Sequence, residues 1–184
     1  MQFEVETFDV AGLVLIKPRI FGDARGYFFE SYSKKDLLNA GIHADFVQDN
    51  QSYSSKGILR GLHFQKKPYA QSKLVRVSQG KVFDVAVDIR ASSPTFGQYI
   101  GVELSDQNHA IFYIPKGFAH GYLVLSETAI FQYKCDDYYA PAAEDGLQYN
   151  DPDISIQWPV IDVPIRVSDK DAVLPRLKDL QIAF

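Results

Sequence analysis

The chain has 184 residues and a formal net charge of −4, from 19 lysines and arginines against 23 aspartates and glutamates. A chain of this length buries roughly 70% of the surface that it exposes when unfolded, which suits one domain with a substantial core. Hydrophobic residues make up 46% of the sequence, which excludes intrinsic disorder as the main state. The acidic balance excludes a global basic field of the kind that attracts nucleic acid, so an anionic ligand has to meet a local basic pocket.

Cysteine content and hydropathy indicate the compartment. The single cysteine, Cys135, cannot form a disulfide within the chain or hold a structural zinc ion alone, which argues against a disulfide-stapled secreted module. The segment MQFEVETFDV lacks the basic and apolar runs of a signal peptide, and no stretch approaches the roughly 18 apolar residues of a membrane span. We therefore expect a cytoplasmic protein with no membrane partner.

Apolar residues recur with a period of two in short runs separated by turn residues, the pattern of an all-β protein. The predicted strands are Leu13–Lys17, Tyr27–Tyr32, Phe46–Tyr53, Ile58–Phe64, Lys73–Ser78, Lys81–Ile89, Gln98–Leu104, His109–Ile114, Gly121–Leu125 and Ala129–Lys134. Two segments have a helical pattern: Lys34–Ala40, which ends at Gly41, and Asp171–Leu180, which Pro175 interrupts. So many short strands predict a jelly-roll β-sandwich or barrel with an internal pocket, because that form hides strand edges.

We expect residues 1–184 to form one domain, with 160–184 as a wrapping C-terminal tail. Within it, the predicted strand Lys81–Ile89 carries apolar side chains on one face and the carboxylates of Asp84 and Asp88 on the other. Two interpretations are open. Both carboxylates face solvent, or Asp84 lines a polar interior of the barrel.

Two of the four histidines have the setting of a functional site. His120 follows a Pro-x-Gly turn in Pro115–Gly121 (PKGFAHG), which is the second half-motif of cupins, jelly rolls in which such a histidine often binds metal. The first half-motif would supply His-x-His, whereas this sequence has His63-Phe64-Gln65. One imidazole with a neutral amide makes a poor metal site, so we expect a cupin with no metal or other cofactor.

Five segments carry a resemblance to one family. They are Asp23–Glu30 (DARGYFFE), Gln48–Asn50 (QDN), Gly57–Gln65 (GILRGLHFQ), Pro115–Gly121 and Asn150–Pro152 (NDP). In their order and spacing, over about residues 3–175, the chain resembles the dTDP-4-dehydrorhamnose 3,5-epimerases. The resemblance implies a metal-free cupin homodimer that epimerises C3 and C5 of dTDP-4-dehydro-6-deoxy-D-glucose, in dTDP-L-rhamnose biosynthesis.

Removing a proton from a carbon beside a ketone requires a base and a stabilised enolate. The resemblance implies that His63 is the base and that Asp171 orients it, with Asp169 as the neighbouring alternative. It also implies that Lys73 stabilises the enolate at the C4 oxygen and that Tyr133 delivers a proton to the opposite face. From the residues alone, that lysine would be interpreted as solvated and that tyrosine as structural.

Substrate binding requires cations for the diphosphate, and Arg25, Arg60 and the pair Lys66-Lys67 are candidates. The resemblance implies that Arg25 and Glu30 reach the site from the partner subunit on an exchanged N-terminal strand. Other positions that match binding residues of the family are Gln48, Asn50, Arg60, Asp84, His120, Glu144 and Lys170. Tyr138 is a candidate stacking platform for thymine or sugar. For this tyrosine and for Lys66 and Lys67, the alternative is a solvated position on the surface.

One feature of the sequence conflicts with this site. Arg60 and His63 are three residues apart, and side chains at that spacing in a regular strand point to opposite faces. A bulge or kink at Gly61 would re-aim the following side chain, and we take that as a hypothesis.

Two other functions stay open at this point. One is a related cupin that acts as a single-carbon epimerase or ketoisomerase on a dTDP-4-keto-6-deoxy sugar. The other is a non-catalytic sugar-binding cupin. The presence of His63, Lys73, Tyr133 and Asp171 favours the double epimerase, because a binding module would be expected to lack the base or the acid.

Overall fold

The computed structural model describes residues 3–181 and Phe184. The strands are β1 (Phe3–Thr7), β2 (Val14–Pro18), β3 (Phe21–Asp23), β4 (Gly26–Phe28), β5 (Gln48–Ser55), β6 (Leu59–Gln65), β7 (Lys73–Gln79), β8 (Lys81–Asp88), β9 (Tyr99–Ser105), β10 (Ile111–Ile114), β11 (Phe118–Val124), β12 (Thr128–Cys135) and β13 (Glu144–Gly146). The α-helices are α1 (Lys34–Asn39) and α2 (Asp169–Ala172), and 3-10 turns occupy Pro141–Ala143 and Leu177–Asp179. Neither α-helix of the described ranges has the length and apolar character needed to cross a membrane.

Two antiparallel sheets pack face to face. The first sheet has the order β1-β2-β10-β7-β12-β5, and the second has the order β13-β6-β11-β8-β9. The remaining strands, β3 and β4, form a separate hairpin. This arrangement confirms the predicted all-β cupin-type sandwich with short C-terminal helical segments.

Alternation along the strands builds the core between the sheets. Val75 on β7, Val82 on β8, Phe112 on β10 and Phe131 on β12 meet in one buried cluster. Each fully buried side chain of this kind stabilises the fold by about 1.5–3 kcal/mol relative to an exposed one.

The outer face of the second sheet is covered as well. Val85 and Val87 of β8 point away from the core between the sheets and join a second buried cluster. Trp158 and Leu177 from the C-terminal part of the chain pack against that cluster. Both residues are therefore bound to the sheet that also carries β6 and β11.

Strand β8 decides between the two interpretations of its carboxylates. Asp84 and Asp88 are both 0% exposed, so neither faces solvent. Asp84 points into the interior, as the second interpretation proposed. Asp88 lies at the end of the strand, where Arg90, Ser93 and Thr95 donate hydrogen bonds to its carboxylate.

Several predicted elements differ from those observed. The predicted strand Tyr27–Tyr32 is wrong in extent, because β4 ends at Phe28 and pairs only with β3. Strands β1, β3 and β13 were not predicted. Four of five residues of β1 and all three of β3 are exposed, and β13 (EDG) has no apolar residue. The predicted helix Asp171–Leu180 is split into α2 and a 3-10 turn, since Pro175 cannot donate a helical hydrogen bond.

Candidate active site

A cavity of about 450 Å³ lies between the two sheets, lined by strands of both and by the segment around α2. Seven of the predicted site residues line it: Arg60, His63, Lys73, His120, Tyr133, Lys170 and Asp171. The cavity therefore collects side chains that are separated by more than 100 positions in the sequence.

A bulge in β6 turns two of these side chains toward the cavity. His63 is opposite His120, and Arg60 is opposite Tyr122. Between these two pairs β6 advances by three residues and β11 by two, so β6 contains one extra residue. The extra residue follows Gly61, whose φ of +116° lies in the region that favours glycine. The register shift confirms the hypothesis of a kink at this glycine and explains how Arg60 and His63 share one face.

His63 and Asp171 form the closest polar pair of the cavity. The Nε2 of His63 lies 2.6 Å from Oδ1 of Asp171, and the second carboxylate oxygen accepts the amide of Gly61 at 3.2 Å. Burial acts to raise the pKa of Asp171, but the hydrogen bonds outweigh it and hold that pKa below its ordinary value. An ionised Asp171 selects the tautomer with a proton on Nε2, which makes the other ring nitrogen of His63 the acceptor.

The geometry also decides which aspartate meets His63. Ser168 caps α2 by accepting the amide of Asp171 at 3.1 Å, and this turn points the Asp171 side chain inward. Asp169, the alternative from the sequence, is exposed on the same short helix. Asp171 is the partner of His63.

A second histidine and carboxylate pair lies beside the first. The Nε2 of His120 is 2.9 and 3.0 Å from the two oxygens of Asp84, and both side chains are buried. Burial lowers the pKa of His120, although Asp84 acts in the opposite direction. The neutral imidazole therefore donates its Nε2 proton to Asp84 and forms a fixed wall of the cavity.

Lys73 brings a positive charge to the cavity from the first sheet. It begins β7, and its Nζ lies 3.4 Å from the carbonyl oxygen of His63. Burial lowers the pKa of Lys73, while Asp84 and Glu144 act to raise it. A partly desolvated ammonium group interacts strongly with an anion that forms beside it.

Tyr133 faces the cavity from the other sheet. It lies on β12 of the first sheet, whereas His63 lies on β6 of the second, so the two side chains approach the cavity from opposite walls. Burial raises the pKa of Tyr133 to about 12. The phenol therefore keeps its proton at neutral pH and can act as a donor.

Charged and polar side chains form the rim of the site. Lys170 and Glu144 make an ion pair of 2.5 Å, and the hydroxyl of Tyr139 donates to the same carboxylate at 2.7 Å. On β5, the amide of Gln48 donates to Asn50, and the amide nitrogen of Asn50 lies 3.8 Å from the Cys135 sulfur. Asn50 is paired with the cavity residue Tyr133, but neither of these β5 residues lines the cavity.

Three other predicted binding residues are exposed and lie outside the cavity of their own chain. Arg25 occupies the exposed turn between β3 and β4, where its guanidinium contacts Asp23 at 2.5 and 3.2 Å. Glu30 is exposed just after this hairpin, and Tyr138 is 66% exposed. The phosphate candidate Lys66 instead pairs with Asp145 at 3.3 Å.

Sequence reasoning missed Tyr122 as a lining residue. Its ring stacks on Phe131 with centroids 4.0 Å apart, and its hydroxyl lies 2.7 Å from Ser52 Oγ. It is two residues after His120 on the same strand, so the alternation of β11 places both side chains on the cavity face. That spacing was the signal in the sequence.

The described residues contain no group of three histidine, cysteine, aspartate or glutamate side chains able to hold a metal ion. Gln65, which stands where a cupin ligand would be, points elsewhere. Its amide group donates to the carbonyl of Tyr69 at 2.7 Å and accepts the amide of Ala140 at 2.7 Å. The residues present therefore do not fit the metal site of other cupins.

A cupin-type sandwich whose cavity holds an imidazole–carboxylate pair, a lysine and an opposed tyrosine defines a class of isomerases that act by proton transfer. The chain belongs to the dTDP-4-dehydrorhamnose 3,5-epimerase family, whose family model matches residues 7–179. It is 50% identical over 169 residues to the dTDP-4-dehydrorhamnose 3,5-epimerase of Salmonella typhimurium, and the aligned region covers 91% of this chain and 92% of that one.

Solved structures are similar over the same length. The crystal structure of dTDP-6-deoxy-D-glucose-3,5-epimerase from Legionella pneumophila, in complex with dTDP-4-keto-L-rhamnose, is 49% identical with a TM-score of 0.94, and the match covers 97% of this chain and 95% of that one. A 3'-monoepimerase from Streptomyces bikiniensis, in complex with dTDP-quinovose, is 32% identical with a TM-score of 0.87, and the match covers 93% and 86%.

Proposed function

We propose that the chain inverts C3 and C5 of dTDP-4-dehydro-6-deoxy-D-glucose to form dTDP-4-dehydro-L-rhamnose, in dTDP-L-rhamnose biosynthesis. The observation that carries the proposal is the placement of His63 and Tyr133 on opposite walls of one cavity. Inversion at carbon requires that a proton leave one face and that another arrive at the opposite face. Two groups on the same wall would only return the proton to where it came from.

Each inversion has two half-reactions in this site. His63 takes the proton from the carbon beside the ketone, and Asp171 stabilises the resulting imidazolium. The electron pair moves to the C4 oxygen, where the cation of Lys73 stabilises the enolate. Tyr133 then gives its phenolic proton to the opposite face of the same carbon. Proton exchange with solvent restores His63 and Tyr133 before the second carbon reacts.

The remaining polar residues suit a nucleotide sugar. Arg60 and Lys170 bring positive charge to the cavity for the diphosphate, and Glu144, Gln48 and Asn50 supply hydrogen bonds at its edge. His120, held by Asp84, completes the wall beside the sugar. Tyr138 is exposed and able to stack on thymine.

The site is completed by a second copy in this proposal. Residues 1–184 form one domain with residues 160–184 as its tail, and two such chains exchange their N-terminal segments as a homodimer. Arg25 and Glu30 are exposed here, and Tyr27 and Phe28 of the same hairpin are 60% and 66% exposed. An exposed apolar hairpin of this kind is suited to insertion into a neighbour. The buried thiol of Cys135 suits a reducing cytoplasm.

Proton NMR in deuterated water tests the reaction. The purified protein is mixed with dTDP-4-dehydro-6-deoxy-D-glucose, and deuterium uptake at C3 and C5 is followed together with product configuration. We expect uptake and inversion at both carbons. Uptake and inversion at one carbon would identify a single-carbon epimerase, formation of a 3-ketone would identify a ketoisomerase, and no change would identify a binding protein.

Mixed dimers test the sharing of residues between copies. Arg25→Ala and His63→Ala chains are each expected to have little activity. After verified subunit exchange, one of the two sites in a mixed dimer contains Arg25 and His63 together, so activity should return. Failure to recover activity would contradict the exchanged hairpin, although it would leave the reaction itself untouched.

A further inference from the structure

Asp151, in the Asn150-Asp151-Pro152 segment, is a buried carboxylate outside the cavity. It is 1% exposed. Its Oδ1 accepts the amide of Asp153 at 2.9 Å, and its Oδ2 accepts the amide of Leu177 at 2.7 Å. A buried carboxylate is costly unless it is hydrogen-bonded, and within the described part of the chain these partners are amides rather than cations. The second amide belongs to the segment that follows Asp171.

Residues 166–177, here called the strap, carry Asp171 across the second sheet. At its first end, Arg166 donates its amide to Gly57 at 2.8 Å and accepts the amide of Leu59 at 2.9 Å. At its second end, Pro175 accepts the amide of Gln148 at 2.8 Å, and Asp151 accepts the amide at position 177. The strap is thus bound to the sandwich on both sides of α2.

Helix α2 has four residues, which is one turn and too short to be stable alone. The position of Asp171 therefore depends on the ends of the strap. We infer that Asp151 is a positioning residue, which holds the second end of the strap so that Asp171 stays 2.6 Å from His63. This inference rests on the proposed function, because it acts through the base and its partner.

Replacing Asp151 by asparagine weakens the attachment of the second end of the strap, where the bond between Gln148 and Pro175 remains. An asparagine accepts one of the two amides and presents its own N–H group to the other, so one amide loses its partner. Misplacement of a catalytic group by about 1 Å costs on the order of 10²-fold in rate. We expect Asp151→Asn to lower kcat by about 10- to 100-fold with KM changed less than about 2-fold. Asp153→Asn, an exposed change of the same charge in the same turn, should retain the wild-type kcat.

A double-mutant cycle shows whether the effect passes through Asp171. If it does, adding Asp151→Asn to Asp171→Asn causes no further loss of kcat. Losses that multiply in the double variant would overturn the inference, as would a wild-type kcat for Asp151→Asn. A full kcat in Asp171→Asn alone would instead overturn the proposed role of Asp171 in the reaction.

A further measurement reports the position of the strap without turnover. In protein labelled with 15N-histidine, the Nε2 proton resonance of His63 should shift or broaden in Asp151→Asn and stay unchanged in Asp153→Asn. This readout needs no turnover, so it remains decisive even where the proposed reaction fails. An unchanged resonance in Asp151→Asn would overturn the inference.

Leu177→Pro removes the donor and leaves Asp151 intact, which covers the case in which Asp151→Asn does not fold. Proline is tolerated at the start of a 3-10 turn, and Arg176 before it already has the extended φ of −77° and ψ of 158°. Leu177→Ala removes the side-chain packing but keeps the amide. We expect the proline variant alone to lose kcat, and equal kcat values in the two variants would overturn the inference.

Discussion

Gly61 and Gly121 lie back to back where β6 passes β11. A Cβ atom added to Gly61 would lie 2.7 Å from Gly121 Cα, and one added to Gly121 would lie 2.6 Å from the carbonyl oxygen of Arg60. Neither strand has room for a side chain at this point. The contact lets β6 bulge beside its neighbour, and the bulge brings Arg60 and His63 to one face.

We expect Gly61→Ala to destabilise the protein by roughly 3 kcal/mol, from the clash together with a φ that alanine disfavours. Activity of the folded fraction should fall as well, because β6 can no longer hold Arg60 and His63 together. Gly41→Ala is the matched control, since Gly41 also has a positive φ of +80° but an open surrounding. Chemical denaturation measures both. Equal loss of stability in the two variants would contradict a packing role for Gly61.

The sequence predicted the sandwich because alternation of apolar residues is a local signal, which strands β7, β8 and β12 carry strongly. It did not predict β13, whose residues Glu144–Gly146 are placed by their pairing with β6. The contact between His63 and Asp171 spans 108 positions. Local sequence patterns do not reveal a contact between residues so far apart in the chain, so this pair was expected from the family resemblance alone. Asp88 was taken for a surface residue in one interpretation because its partners, Arg90 to Thr95, lie in a loop.

Tyr133→Phe should separate proton removal from inversion. The substitution keeps the ring and its packing but removes the transferable proton, while His63 and Lys73 still form the enolate. We expect deuterium uptake at C3 or C5 with little inverted product, because His63 or water returns the proton to the original face. His63→Ala should abolish both processes, with a rate loss of about 10²–10⁴-fold.

Tyr139→Phe is the comparison for that prediction, because the hydroxyl of Tyr139 is bound to Glu144 at the rim. Deuterium uptake and product configuration are followed by NMR in each folded variant. Normal inversion by Tyr133→Phe would contradict this prediction. If Tyr139→Phe instead exchanged deuterium without inversion, the acid would be Tyr139.

Lys73 should determine the alkaline limit of activity. Burial holds its pKa below the ordinary value for lysine, whereas the pKa of Tyr133 is about 12. As pH rises, Lys73 therefore loses its proton first, and kcat/KM should fall with it. Lys73→Arg retains a cation that does not titrate and should remove this alkaline decline. Lys73→Met should lower kcat by about 10²–10³-fold at neutral pH. If kcat/KM of Lys73→Arg still fell at high pH as it does in the wild type, the decline would be due to another group.

Chelation should leave the activity unchanged. His63 and His120 each direct Nε2 at a carboxylate of their own, and Gln65 is bonded to backbone groups. The enolate can be stabilised by Lys73 instead of a metal. Activity is measured after dialysis against EDTA and again after addition of divalent ions. Loss on dialysis with recovery on addition of one ion would contradict this prediction.

Asp88→Asn should destabilise the fold in a pH-dependent way. Burial by itself would raise the pKa of Asp88, but hydrogen bonds from Arg90, Ser93 and Thr95 lower it to about 2 from 3.8. A carboxyl group whose pKa is depressed on folding stabilises the protein above its unfolded pKa, and that stability is lost as pH falls toward the folded pKa. The shift corresponds to about 2 kcal/mol at neutral pH. The variant also leaves Arg90 without its carboxylate, which adds to the loss.

The difference in unfolding free energy between wild type and Asp88→Asn should therefore be constant above about pH 5 and shrink by about 2 kcal/mol between pH 5 and pH 2. Asp23→Asn is the matched control, because Asp23 binds Arg25 two residues later in the same way, but on an exposed hairpin. Its removal should leave the stability unchanged, since solvent screens an exposed pair. Denaturant titrations at several pH values measure all three proteins. A difference between wild type and Asp88→Asn that stayed constant down to pH 2 would show that the charge of Asp88 does not stabilise the fold.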